Sequence, residues 1–255
     1  MAATPSAIRI ERDGAVQLIV FDRPERRNAW NVACAREVIA AIKAANEDPD
    51  VGAIVLTGEG STYNAGADLK GEAEYDPESG RRLLPITFMM GTGEANWIAL
   101  LQQSKPVVAA LNGPAVGLGA THTLAADIRV MAESATLSFP FLKLGAMPEC
   151  GSTALLARLV GAGRATDILL RSATISAREA LDWGLATQIF PDAELRAGAV
   201  SIARELAEAP SLQVSLTKRM LAANIGSNDP DAIMQVESRT FVELLKAVRK
   251  EKPLD

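Results

Sequence analysis

Two glycine-bearing turns, residues 64–68 and 112–119, each follow an apolar strand-like run and lead into a helical pattern. Placed side by side, they can present a pair of backbone N–H donors, the elements of an oxyanion hole. Such donors stabilise a carbonyl oxygen that becomes negative during a reaction, and losing one typically costs about 3–4 kcal/mol of transition-state stabilisation. The second turn opens a helix near Gly119, whose unpaired N–H groups and dipole also favour negative charge. The same glycines could instead serve close helix-on-sheet packing.

What surrounds the turns is an ordinary globular sequence. At 255 residues and 48% hydrophobic, the chain can bury a large core, as one domain or a domain with an appendage. A net charge of −5 gives no global basic field for nucleic acid or anionic membrane. Cys34 and Cys150 lie far apart with no CxxC spacing, which fits a reducing compartment and offers neither a disulfide framework nor a metal site. No export signal or long apolar span is present, so the expected location is cytoplasmic.

The turns need strands and helices to hold them. Residues 8–11 and 16–21 read as strands joined by a tight turn at Asp13-Gly14. Asn31 caps a helix carrying Val38, Ile39, Ile42 and Ala45, which Asp48-Pro49 stops. Strands at 53–57 and 106–111 each precede a glycine turn, and two more are expected at 128–131 and 135–139. Helical patterns follow at 152–160, 163–170 and 176–182, and from Pro191 onward at 192–208, 211–223 and 229–248. Residues 71–93 read as a surface excursion whose Leu83, Leu84, Ile86, Phe88, Met89 and Met90 either meet a greasy substrate or pack beneath a loop. This order gives a layered α/β core of repeated strand–strand–helix units over 1–190 and a helical appendage over 191–255. The appendage is too slight for a deep core of its own and is expected to pack on another subunit.

Four segments together resemble the crotonase, or enoyl-CoA hydratase/isomerase, superfamily. They are 23–29; 53–58 running into 65–69; 109–119 with Asp127-Ile128; and 161 through Gly184-Leu185-Ala186. Their order and spacing span nearly the whole chain. The resemblance implies a spiral of ββα units, acyl-CoA thioesters as substrates in lipid metabolism, coenzyme A as part of the substrate with no permanently bound cofactor, and a homotrimer or dimer of trimers. It assigns the two oxyanion donors to the N–H groups of Ala67 and Leu118, where Leu118 stands at a position usually held by glycine. A backbone donor survives that change at negative φ but is strained at positive φ. The resemblance also brings Arg26 and Arg27 toward the pantetheine and phosphates, and sets Ala65, Asp68 and Leu69 beside the adenine. A basic run, Lys246, Arg249, Lys250 and Lys252, either reaches a neighbouring subunit's phosphate or is a solvated helix end.

Hydratases of the family use two glutamates, and at those positions this chain has Thr121 and Phe141. Neither is a base, so both count as substrate contacts. The remaining carboxylate is Glu149, where the double-bond isomerases carry their acid or base. With Phe141 and Met147 as apolar neighbours its pKa is expected to rise toward neutrality, as one-base proton transfer requires. The competing role is a cap for the helix starting near Ser152. His122 follows Thr121 by one residue, about 100° around a helix, so the two do not share a pocket face and His122 reads as structural. The expected activity is enoyl-CoA double-bond isomerisation. The alternatives are a hydratase or hydrolase of an unusual CoA ester, with Thr121 and His122 positioning water, and a catalytically silent acyl-CoA binder.

Overall fold

A computed structural model describes residues 6–71, 74–80, 82–89 and 95–251. Strands β1 (Ile8–Asp13) and β2 (Val16–Phe21) form an antiparallel hairpin, and helix α1 (Val32–Glu47) follows, with the Asn31 side chain accepting from the Cys34 N–H at 2.7 Å. Next come β3 (Ala53–Gly58), α2 (Trp97–Gln103), β4 (Val107–Leu111), the two-residue β5 (Ala115–Val116) and the single-turn helix α3 (Leu118–Thr121). Strands β6 (Ile128–Ala132) and β7 (Thr136–Ser138) lead to helices α4 (Ser152–Val160) and α5 (Ala162–Arg171). The chain then runs through β8 (Thr174–Ser176), α6 (Ala177–Asp182), β9 (Gln188–Phe190), α7 (Leu195–Glu208), α8 (Ser211–Asn224) and α9 (Pro230–Glu251).

One sheet has the order β1-β2-β3-β4-β6-β9 and the other β5-β7-β8. Along the chain a strand in the large sheet is followed by one in the small sheet, β4 then β5 and β6 then β7, which makes the α/β spiral that the resemblance implies. From β2 to β9 the pairs of the large sheet are parallel. Parallel strands covered on both faces read as continuous apolar runs, and Ala53–Leu56 and Val107–Leu111 are wholly buried. The glycine turns leave the C-terminal ends of β3 and β4, where open α/β sheets place their ligands.

Helix α7 lies across β2, β3, β4, β6 and β9, while α8 and α9 pack on each other and α8 also touches α2. Lys218 anchors α8 to the core: its buried ammonium donates to Asp127 Oδ2 at 2.6 Å and to the Leu101 carbonyl at 2.9 Å. Strands β5, β8 and β9 have only two or three residues each, too few to show a periodicity in sequence. In the 71–93 excursion, Phe88, which ends a 3-10 turn at Pro85–Phe88, and Met89 after it are buried, whereas Met90 lies outside the described residues. Lys246 is exposed, Lys252 lies outside the described residues, and so do the side chains of Arg249 and Lys250. Among the described residues no helix is long and apolar enough to cross a membrane.

Candidate active site

The first turn is fixed by its own asparagine. Asn64 Oδ1 accepts from the Gly66 N–H at 2.9 Å, while Asn64 Nδ2 donates to the Asn28 carbonyl at 2.5 Å. Trp30 then brackets Ala67: its N–H donates to the Gly66 carbonyl at 2.8 Å and its carbonyl accepts from the Asp68 N–H at 2.7 Å. In such a parallel bridge the intervening residue directs its own N–H to the other side. The Ala67 N–H accordingly has no acceptor among the described residues.

The second turn kinks at Gly117, with φ 53° and ψ −120°, and Leu118 begins α3 in helical conformation. The left-handed torsion therefore falls on the glycine, and leucine carries no strain at the donor position. The Ala120 and Thr121 N–H groups both return to the Gly117 carbonyl at 2.9 Å, leaving the Leu118 N–H without a partner among the described residues. The turns are zipped together by the Val116 N–H on the Asn64 carbonyl at 2.9 Å and the Asn64 N–H on the Pro114 carbonyl at 3.2 Å. A Cβ on Gly66 would stand 2.5 Å from the Val116 oxygen and 3.6 Å from the Leu118 nitrogen. Two free donors thus sit on touching segments of backbone.

Glu149 reaches this place through Thr121. The buried Thr121 hydroxyl lies 3.4 Å from Glu149 Oε1 and 3.5 Å from the Leu118 carbonyl. Left-handed torsions at Cys150 (φ 54°) and Gly151 (φ 70°) turn the chain sharply before α4, and the Ser152 N–H closes the turn on the Glu149 carbonyl at 3.0 Å. The N-cap of α4 is Gly151, with no side-chain hydrogen bond, so the Glu149 carboxylate is not a helix cap. It opens into a cavity of about 300 Å³ lined by Met89, Asn96, Trp97, Ile98 and Pro148. Burial raises its pKa to about 7 against the opposing hydrogen bond from Thr121.

The expected source of that burial needs correction. Met147 is 81% exposed and removes little water from the carboxylate. Phe141 is buried but does not line the cavity, whose apolar walls come from α2 and from Met89. A larger hollow of about 430 Å³ between α8 and α9, lined by Leu216, Met220 and Phe241, contains none of the groups described above.

On the other flank Asp68 is held by two arginines, Arg23 at 3.0 Å and Arg26 at 2.8 Å. Burial pulls its carboxyl up, but the hydrogen bonds and charges of Arg26 and Arg23 outweigh it and keep it below the usual carboxylate range. Arg23 was not a sequence candidate; its signal was proximity to Arg26 on the same turn. Arg27 is exposed with φ 53°, Leu69 is exposed, and the Ala65 N–H donates to the Arg27 carbonyl at 3.0 Å. Ala65, Asp68 and Arg26 thus share one rim, with Arg27 and Leu69 exposed beside it.

His122 is wholly buried and, unlike Thr121, makes no hydrogen bond to Glu149 among the described residues. Its Nδ1 lies 2.8 Å from the Leu118 carbonyl and its Nε2 3.0 Å from the Tyr63 hydroxyl. A carbonyl can only accept, so Nδ1 carries the proton and Nε2 accepts from Tyr63. Burial lowers the His122 pKa to about 4, outweighing the hydrogen bond to Leu118.

These two shifts oppose each other in stability. His122 binds its proton near 6.5 when unfolded and near 4 when folded, so stability is lost as pH falls through that window, by roughly 3 kcal/mol. Glu149 binds near 4.5 unfolded and near 7 folded, so it adds stability over nearly the same fall, by a similar amount. The pair therefore cancels in the native chain. Urea unfolding of Glu149→Gln between pH 7 and pH 4 should uncover the histidine loss; a stability that does not fall with pH in the variant would contradict the buried neutral imidazole, and a pH dependence identical to the native chain's would contradict the raised Glu149 pKa.

Residues 11–254 match the family model described as enoyl-CoA hydratase/isomerase. The chain is 35% identical to 4-chlorobenzoyl coenzyme A dehalogenase-2 of Arthrobacter sp, over 84% of this chain and 77% of that protein. It is 33% identical to the 1,2-epoxyphenylacetyl-CoA isomerase of Escherichia coli K12, over 81% and 78%. The crystal structure of an enoyl-CoA hydratase from Bacillus anthracis superposes with a TM-score of 0.83 at 30% identity, covering 96% of each chain.

Proposed function

The chain belongs to the enoyl-CoA hydratase/isomerase family, and on that premise we propose that it shifts a carbon–carbon double bond in an acyl-CoA thioester with Glu149 as the single base. The observation that carries this reading is the half-buried carboxylate, raised to about 7, joined through Thr121 to the turn that bears the free Leu118 N–H. Glu149 takes a proton from one carbon of the acyl chain, the thioester oxygen becomes a dienolate oxygen held by the Ala67 and Leu118 N–H groups, and the same carboxyl returns the proton at another carbon. A base near the working pH does both halves well. Arg26, Arg27 and the Asp68 rim are assigned to coenzyme A, whose phosphates suit guanidinium partners. Thr121 and Phe141 stand where a hydratase would carry carboxylates, which leaves water without a second base.

The deciding measurement is incubation with 3-enoyl and 2-enoyl-CoA esters in deuterium oxide, followed by mass and product analysis. Conjugated enoyl-CoA with incorporated deuterium is expected. Hydroxyacyl-CoA or free acid would establish the hydratase or hydrolase alternative, and binding without exchange the silent binder.

Thr121 tunes the base in a definite direction. Its hydroxyl stabilises the ionised carboxylate, so Thr121→Val should raise the Glu149 pKa further above 7. The rising limb of exchange rate against pH then moves to higher pH, and a limb that stays in place would show that Glu149 is not the titrating base.

We also propose that α9 seats further copies of the chain. Its Met234, Phe241, Val242, Leu245 and Val248 are exposed apolar side chains, and contiguous exposed apolar surface marks interaction sites. Light scattering should give a trimer or a hexamer; a monomeric mass would refute this.

A further inference from the structure

Beneath the two donor turns lies a buried cluster of Phe21, Trp30, Tyr63, Trp97 and His122 that the proposed chemistry does not use. The rings of Trp30 and His122 meet edge to face at 5.2 Å, and Tyr63 lies nearly parallel to the imidazole at 5.5 Å. One member from each side belongs to a donor turn. Tyr63 immediately precedes Asn64, and the backbone of Trp30 brackets Ala67. His122 immediately follows α3 and donates from Nδ1 to the carbonyl of Leu118 itself. A continuous thread results: Tyr63 O–H to His122 Nε2, then His122 Nδ1–H to Leu118. Trp97 Nε1 pins the other end of His122 by donating to its carbonyl at 2.8 Å.

An all-apolar cluster would pack as well, and burying an imidazole and a phenol is costly unless their hydrogen bonds define a geometry. What this pair defines is the orientation of α3 relative to the Ala67 turn. We propose that Tyr63 and His122 are positioning residues that hold the Leu118 donor in register with the Ala67 donor, so that both meet one thioester oxygen. The inference rests on Ala67 and Leu118 being the donor pair and is independent of Glu149.

The experiment reads the carbonyl directly. Butanoyl-CoA labelled with ¹³C at the thioester carbon is bound to the full chain, and its C=O stretch is measured by difference infrared spectroscopy. In the native chain the stretch should fall below that of free butanoyl-CoA. In Tyr63→Phe, which keeps the ring and removes the donor to His122, at least half of that lowering should be lost. The kcat for proton exchange should drop about tenfold with KM changed less than twofold. A folded Tyr63→Phe with the native stretch and native kcat overturns the proposal. An unshifted stretch in the native chain overturns it together with the donor assignment, whereas a shifted stretch without any exchange fails only the isomerase reading. Should Tyr63→Phe not fold, the chain's single histidine supplies the readout through ¹⁵N NMR of the unmodified protein. An Nδ1-protonated imidazole whose Nε2 resonance moves on saturation with butanoyl-CoA is expected, and a ring insensitive to the ligand overturns the proposal.

Discussion

Glu149→Gln should lower proton exchange on an acyl-CoA by about a thousandfold while leaving its Kd within about twofold. A positioned general base contributes typically 10²- to 10⁴-fold, and the described site offers no second carboxylate at the cavity to replace it. Glutamine keeps the shape of the side chain, and its carbonyl oxygen can still accept from the Thr121 hydroxyl, so the walls formed by Trp97, Ile98 and Met89 need not move. It removes only the lone pair that takes the proton. The donors at Ala67 and Leu118 are untouched, so the thioester should still bind and its carbonyl should still be polarised. Deuterium incorporation by mass spectrometry gives the rate, and calorimetry with a saturated acyl-CoA gives the Kd. Exchange at the native rate would remove Glu149 from the mechanism. A joint loss of exchange and binding would make it a structural group.

What could be read in the sequence was what the chain encodes locally. Asn31 before an apolar period, the apolar runs that become β3 and β4, and the glycines of the two turns act within a few residues of themselves, and each is found where its type predicts. Leu118 was ambiguous because its φ is set by its neighbour: only the structure shows that Gly117 takes the positive torsion. The surroundings of Glu149 were misread for a related reason. Met147 is near in sequence and points to solvent, whereas the apolar walls of the cavity beside the carboxylate come from Met89 and α2, about fifty to sixty residues upstream. The Tyr63–His122 thread spans 59 residues, a separation at which neither residue type announces the other. His122 read as structural from helix geometry alone, but its partner was invisible. Strands β5, β8 and β9 were missed because two or three residues hold no period, whereas the equally short β7 was read from the longer apolar run around it.

Gly66→Ala should cost at least a hundredfold in kcat, because it strikes both donors at once. Two effects act at this position. Gly66 has φ 89°, a conformation that an alanine adopts only with strain of order 1–3 kcal/mol. The added methyl would also meet the Val116 carbonyl oxygen at 2.5 Å, a distance that cannot be kept, and that oxygen belongs to the peptide leading into Gly117 and Leu118. Relief therefore requires the Ala67 turn and the Leu118 turn to separate. Losing one preorganised donor already costs a factor of 10² to 10³. Gly14→Ala separates strain from collision: Gly14 is also left-handed, at φ 56°, but a Cβ there meets nothing within 4 Å. It should lower stability by a comparable strain and leave kcat near native. If both variants lose stability alike and both keep kcat, the spacing of the two turns does not set the rate and the oxyanion assignment falls. If only Gly66→Ala loses kcat while remaining folded, the gap between the Ala67 and Leu118 N–H groups is what the glycine protects.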